Sequence, residues 1–274
     1  MTTADTDSQA PPKSRGVMVT PGATLKVVNL TISVGEDGTV SGSSSLQVSL
    51  NMCPTWLTIA ARHTRDAVAA QNRLRLCHEA GDEAGLGTAL LDQANAGMQA
   101  IVASCAAFDA FYASITDRVP VDVATADAWK KNGTGRYKRI AEVLRRTFKM
   151  SNESAKLTRD AMKQNFQYRA WAVHPPAAGR EPVFYPEIER AVEWRLFAFR
   201  VHNAQAIAGL TLSMIAQISR LPRRQQPDAL ADYLEANSKQ LLGLIAEWEG
   251  EFGTVLPPDF PRGPSPHAES SQAT

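Results

Sequence analysis

An arginine and a histidine at the end of a predicted helix are the two residues of this chain best suited to chemistry. Arg169 and His174 are separated by four residues, and Pro175 and Pro176 follow directly. Histidine titrates near neutral pH and can move a proton, whereas arginine presents a planar, permanently charged fork to phosphate oxygens. Together they could cleave a phosphodiester without a metal ion, since the 2′-hydroxyl of RNA is a nucleophile that the substrate itself provides.

The proline after the histidine decides whether the two side chains can meet. On a straight helix, residues five apart point about 140° away from each other, so Arg169 and His174 would not share a face. Pro175 disfavours the helical conformation at the residue before it. We therefore expect the helix to end at His174 and the imidazole to turn toward Arg169. A structural alternative is also open, because arginine and histidine at a helix C-terminus interact favourably with its last carbonyl groups.

A strongly basic segment precedes this pair. Residues 130–169 contain twelve Lys and Arg against three acids, although the whole chain carries a net charge of only +1. The near-neutral total excludes a general attraction to nucleic acid or membrane, whereas the local excess predicts a surface that holds an RNA backbone. The predicted RNA contacts are Lys130, Lys131, Arg136, Lys138, Arg139, Arg145 and Arg146.

The hydrophobic period divides the chain into four parts. Residues 1–22 are polar and rich in Pro, Gly, Ser and Thr, which predicts a disordered tail. Residues 23–52 alternate around an Asp-Gly turn and predict a β-hairpin, which is marginal alone and must pack on helices or pair with another chain. Residues 53–252 have a helical period, and residues 253–274 form a second, Pro/Ser-rich disordered tail.

Five to six helices are predicted in residues 53–252. Val119-Pro120 ends the second helix, and Ser151 is a candidate N-cap for the fourth, which runs to the Arg169 motif. The short connections predict an all-α helical bundle with the hairpin as an appendage. The other predicted helices are Trp56–Ala80, Leu86–Arg118, Thr125–Phe148 with a break at 132–135, Glu187–Ser219 and Pro227–Gly250.

The cysteines and the apolar segments indicate the compartment of the protein and whether it enters a membrane. Three cysteines without a CxxC spacing predict core residues in a reducing compartment. No ligand spacing predicts a metal site, and no cofactor is expected. The N-terminus lacks an apolar leader, and the most apolar stretch, 204–218, is too short to span a bilayer. We therefore expect a cytoplasmic protein that does not insert into membranes.

Two segments resemble one known family. Residues 105–112, Cys-Ala-Ala-Phe-Asp-Ala-Phe-Tyr, are similar to a helix of the HEPN superfamily (higher eukaryotes and prokaryotes nucleotide-binding) that carries an acidic residue between aromatics. Residues 168–175, Tyr-Arg-Ala-Trp-Ala-Val-His-Pro, resemble its R-x4-6-H motif. The resemblance covers about residues 86–220, and the order of acidic helix, basic helices, motif and long apolar helix also fits.

The resemblance implies a metal-independent endoribonuclease of a toxin or phage-defence type. Arg169 and His174 would be its motif residues, and Asp109 matches the acidic position that orients the motif in some members. Such proteins usually form homodimers with two motifs in one composite cleft, and an antitoxin or defence-system protein would be a further partner. The residue after the motif arginine is commonly Asn or Asp, but here it is Ala170. The alternative is therefore a catalytically inactive HEPN-like scaffold that binds RNA or protein.

Overall fold

The computed structural model describes residues 18–20, 23–174, 179–221 and 226–257. The chain divides into two compact units, one ending at Leu50 and the other beginning at Asn51. Most of the two predicted tails lies outside the described residues, and so does Pro175.

The first unit is the predicted β-hairpin, which is confirmed. Strand β1 (Ala23–Val34) pairs antiparallel with strand β2 (Val40–Leu50). The turn is closed by Asp37, whose Oδ1 accepts hydrogen bonds from the backbone N–H (3.0 Å) and the hydroxyl (2.7 Å) of Thr39. Gly38 lies between them at φ +77°, a conformation that glycine adopts without strain.

A β-bulge keeps the apolar side chains of this hairpin together. Between Val28 and Thr31, β1 contains one residue more than β2, and Asn29 adopts φ +55°, which asparagine tolerates better than most residues. Apolar residues of β1 occupy odd positions before the bulge and even positions after it, so the bulge brings both sets to the same side. This apolar face consists of Leu25, Val27, Ile32, Val34, Val40, Leu46, Val48 and Leu50.

The second unit is helical, which confirms the all-α prediction for this part of the chain. Its described residues form eight helices rather than the predicted five to six, because two predicted helices are each divided. Ser151 caps α5 as predicted, and α2 ends before Val119-Pro120. The helices are α1 (Met52–Ala80), α2 (Glu83–Arg118), α3 (Val123–Lys131), α4 (Arg136–Thr147), α5 (Asn152–Val173), α6 (Trp194–Ala198), α7 (Val201–Ser219) and α8 (Asp228–Phe252).

The predicted helix from Glu187 to Ser219 is wrong in its first part. Strands β3 (Val183–Tyr185) and β4 (Arg190–Val192) form a second hairpin around a 3-10 turn. Pro186 opens that turn, and Glu189 closes it in the left-handed conformation at φ +52°. Proline is tolerated at a helix start, but the left-handed conformation of Glu189 is incompatible with a continuous helix from Glu187.

Tyr185 anchors this second hairpin. Its ring is fully buried in a cluster with Leu74 and Leu90. Its hydroxyl donates a hydrogen bond of 2.5 Å to the side-chain oxygen of Gln93, whose amide in turn donates to Gln71. Burial raises the pKa of the Tyr185 hydroxyl to about 12. The hairpin therefore depends on contacts with α1 and α2 rather than on its own short strands.

Helix α2 is the centre of the bundle and packs against α1, α5 and α7. It is the one helix in the described ranges that is long and apolar enough to cross a bilayer, but half of its apolar window is buried inside the protein, so the core accounts for its composition. The closest approach is at Gly97, where an added Cβ would lie 2.0 Å from the carbonyl oxygen of Phe199. Only a glycine at position 97 leaves room for the junction of α6 and α7 to pack against α2.

Candidate functional site

Helix α5 positions the predicted motif. The Ser151 side chain accepts a hydrogen bond from the backbone N–H of Ser154 (3.1 Å), which starts the helix. The helix ends at Val173, and His174 is the C-cap at φ −130°, with its N–H bonded to the Ala170 carbonyl at 2.8 Å. The helix therefore stops where the following proline predicts.

One face of α5 is fixed to the core. Met162 and Asn165 are buried on this face. The Asn165 amide donates a 3.0 Å hydrogen bond to the Thr211 hydroxyl on α7, and its backbone carbonyl accepts one from the Cys105 thiol on α2 at 3.3 Å. Arg169 follows Asn165 by one turn, so it belongs to this inner side of the helix.

Arg169 lies in the neighbourhood of Cys105 and Asp109. Burial raises the pKa of the Cys105 thiol to about 12, while the positive charge of Arg169 opposes that rise and the negative charge of Asp109 adds to it. The guanidinium of Arg169 is half-buried and has no hydrogen bond or ion pair within the described residues. The positively charged guanidinium of Arg169, next to the core, is thus available to bind an anion.

Asp109 is bound by a different arginine. The Arg136 Nε donates to Asp109 Oδ1 at 2.6 Å, and the Arg136 guanidinium lies 4.4 Å from the centre of the Tyr112 ring. This ion pair joins α2 to α4. The carboxylate that the family resemblance assigns to the motif is therefore engaged by a residue of the basic segment.

His174 differs from Arg169 in its exposure. The side chain of His174 is exposed, whereas that of Arg169 is partly buried, and helical spacing puts their backbone positions about 140° apart around α5. No hydrogen bond joins their side chains in the part of the chain that the structure describes. His174 instead shares a face with Lys163, since eleven residues bring it to within about 20° of that position.

A cleft in front of α5 gathers much of the positive charge. This basic cleft has a volume of about 690 Å³ and lies between α4 and α5. Its cations are Lys138 and Arg145 from α4 and Lys156, Arg159 and Lys163 from α5, against two acids, Glu142 and Asp160. Trp129 and Tyr137 also line it, so both charged groups and aromatic rings are present.

The cations of α4 are largely bound within the protein. Glu142 accepts two hydrogen bonds of 2.8 Å from Arg145 and one of 2.5 Å from Arg146. The Arg145 and Arg146 guanidinium groups hold the pKa of the Glu142 carboxyl down to about 2, against the opposing effect of burial. Two of the predicted RNA contacts therefore have an acidic partner already.

The other predicted RNA contacts differ in whether they line the basic cleft. Lys138 lines the basic cleft, whereas Lys130 and Lys131 are at the end of α3 and do not line it. Arg139 has a buried Nε without a hydrogen bond in the described residues.

The predicted RNA contacts do not include three cations of α5 that belong to the same basic segment, Lys156, Arg159 and Lys163. In the described ranges none of the three has an ion pair. Their helical spacing of three and four residues would have revealed a common face.

An aromatic cluster surrounds the end of α5. The rings of Tyr168 and Trp171 are 5.0 Å apart, and those of Trp171 and Trp194 are 5.5 Å apart at 84°. Arg180 lies over both indoles, 4.2 Å from Trp194 and 5.6 Å from Trp171. Arg180 is thus an additional cation near the motif that its sequence spacing did not indicate.

The described ranges contain no group of three or more His, Cys, Asp or Glu residues placed to hold a metal ion. Comparison with family models, curated proteins and solved structures found no match to this chain. The arrangement of α4, α5 and the residues around them is therefore what indicates a function.

Proposed function

We propose that this protein binds RNA in the basic cleft and cleaves it at the motif end of α5 without a metal ion, as the HEPN-like proteins that its sequence resembles do. One observation carries the proposal. Lys156 and Lys163 line the cleft, and the backbone of His174, the C-cap of α5, continues the same face by helical spacing. A polyanion held in the cleft would therefore extend toward the histidine. Phosphate contacts of this kind supply affinity without reading sequence.

The chemistry assigns separate tasks to the two motif residues. The neutral imidazole of His174 takes the proton of the 2′-hydroxyl, and the resulting oxygen attacks the adjacent phosphorus. The bond to the 5′-oxygen of the next nucleotide breaks, and the His174 imidazolium returns its proton to that oxygen, leaving a 2′,3′-cyclic phosphate and a 5′-hydroxyl. Arg169 stabilises the charge on the pentacoordinate phosphate.

A homodimer would resolve the separation of the two residues. Since helical spacing puts Arg169 and His174 of one chain about 140° apart around α5, a composite site would combine His174 of one protomer with the arginine of its partner. A toxin or defence role in the cytoplasm, with an antitoxin or defence-system protein as partner, completes the proposal. The free state of Cys53, Cys77 and Cys105 agrees with a reducing compartment.

Cleavage of RNA in the presence of EDTA tests the proposal. Wild-type protein should yield 2′,3′-cyclic phosphate ends, and an Arg169→Ala/His174→Ala double variant should yield none. His78→Ala is a matched control, because His78 is also near a helix C-terminus, that of α1. Unchanged cleavage by the double variant would contradict the assignment.

A second candidate, an inactive RNA- or protein-binding scaffold, is favoured by specific observations. Ala170 offers no polar side chain next to the motif arginine, and Asp109 is paired with Arg136. This candidate predicts RNA binding that weakens steeply with salt and no cleavage of any RNA. Growth inhibition on expression, lost in the Arg169→Ala/His174→Ala variant, would decide against it.

A further inference from the structure

The apolar face of the β1–β2 hairpin is unusually exposed. Its eight aliphatic residues are between 44 and 71 % exposed. In the described helical unit, exposed large apolar residues are distributed over separate elements, for example Leu76 on α1, Leu91 on α2 and Leu210 on α7. Single exposed residues need no explanation, but a continuous apolar face marks an interaction site.

The two faces of the hairpin differ in chemistry. The positions between the aliphatic residues of the apolar face are the small residues Ala23, Gly42 and Ser44, and none is charged. The opposite face contains Lys26, Val28 and a series of Ser, Thr and Gln residues. Such one-sided ribbons occur where one side is covered and the other is in water. A two-stranded ribbon alone is only marginally stable, so its apolar face needs a partner surface.

The chain's own terminal segments do not have the composition to cover this face. Residues 1–17 contain only Met1 and Val17 as large apolar residues, and residues 258–274 contain only Phe260. These two segments therefore do not supply the partner surface.

We propose that the apolar face packs against the same face of a second copy of this chain. Two sheets can pack face to face about 10 Å apart, which would give four strands in two layers. The eight residues offer about 700 Å² of accessible surface, close to the 800 Å² or so that each partner gives to a standard interface. Because the face is uncharged, an identical copy is complementary to it without any matching polar group, and a two-fold axis suffices. The inference is independent of RNA cleavage.

Analytical ultracentrifugation of the full chain over a wide concentration range tests this interface. The wild type should associate, and Val27→Asp/Leu46→Asp should halve its mass, since these two residues are directly paired on the apolar face. Val28→Asp/Ser45→Asp is the matched control, because it places the same charges on the neighbouring pair of the opposite face and should keep the wild-type mass. Circular dichroism should show the same helix content in all of these proteins.

Mixing two charge variants separates a direct contact from a loss of hairpin structure. Val27→Asp/Leu46→Asp and Val27→Lys/Leu46→Lys should each have half the wild-type mass alone and regain the wild-type mass when mixed. A wild-type mass in the aspartate variant would place the interface elsewhere and overturn the proposal. A monomeric wild type that instead sediments with phosphatidylcholine vesicles would overturn it too, since the face would then bind lipid.

Discussion

The cations of α4 and those of α5 differ in what they contact, although they belong to the same basic segment. On α4, Arg136 is paired with Asp109, and Arg145 and Arg146 are paired with Glu142. On α5, Lys156, Arg159 and Lys163 face the basic cleft, and none has an ion pair in the described residues. A local excess of positive charge therefore does not identify the cations that are free to bind a ligand. Of the cations held by a carboxylate, Arg145 and Arg146 are paired within α4, and Arg136 joins α4 to α2.

The largest expected effect comes from removing the unpaired cations. Arg159→Ala/Lys163→Ala should weaken RNA binding by about tenfold to a hundredfold and lower the slope of log affinity against log salt by about two, since two phosphate contacts are lost. Fluorescence anisotropy across a salt series measures both quantities.

A control for this variant should remove the same charges elsewhere. Arg75→Ala/Lys239→Ala also removes one arginine and one lysine, both exposed and away from the cleft, and should leave the salt slope unchanged. Equal losses in the two variants would mean that the cleft is not where RNA binds.

A smaller and opposite effect is expected from Glu142→Gln. The change frees Arg145 at the cleft, so RNA affinity at neutral pH should rise about threefold. The same change removes two ion pairs at partly exposed positions and should lower the free energy of unfolding by about 1 kcal/mol. Glu181→Gln is the matched control, because Glu181 is exposed and has no ion pair within the described residues.

The stability effect of Glu142 should depend on pH. Its pKa is about 2 in the folded protein, below the ordinary value of 4.5, so its stabilisation is complete above about pH 4.5 and is lost as the pH falls toward 2. Urea unfolding of wild type and Glu142→Gln should therefore converge at the acid end. A difference that stays constant down to pH 2 would show that the ion pairs are not its source.

The smallest effect on RNA binding is expected from Arg136→Gln. Because this guanidinium is bound to Asp109 and lies on the Tyr112 ring, the variant should lose about 1 kcal/mol of stability while its RNA affinity changes by less than twofold. Urea unfolding and anisotropy measure the two effects. A loss of affinity as large as that of Arg159→Ala/Lys163→Ala would remove the distinction between the two helices.

Local patterns predicted the parts of the fold that depend on neighbours in sequence. Ser151 starts α5 and Asp37-Gly38 turns the first hairpin because their hydrogen bonds reach only two or three residues along the chain. The β3–β4 hairpin could not be predicted in this way, since it depends on Tyr185 meeting Gln93 of a distant helix.

The candidate site was predictable to a similar extent. The end of α5 at His174 could be predicted from the proline that follows it. The pairing of Asp109 with Arg136 could not, because it joins residues that only the fold brings together. The bond from Arg145 to Glu142 spans three residues and could have been found from helical spacing alone. The net charge of residues 130–169 does not show that Glu142 lies one turn from both Arg145 and Arg146.

The crossed indoles of Trp171 and Trp194 give the protein a built-in optical probe. Their rings are 5.5 Å apart and almost perpendicular, so their electronic transitions couple and absorb left- and right-handed circularly polarised light unequally. Arg180 lies on this pair, and a phosphate that draws its guanidinium away would change the electric field at both rings. A phosphate bound at the end of α5 would therefore change the circular dichroism of the protein in the near ultraviolet, without any attached dye.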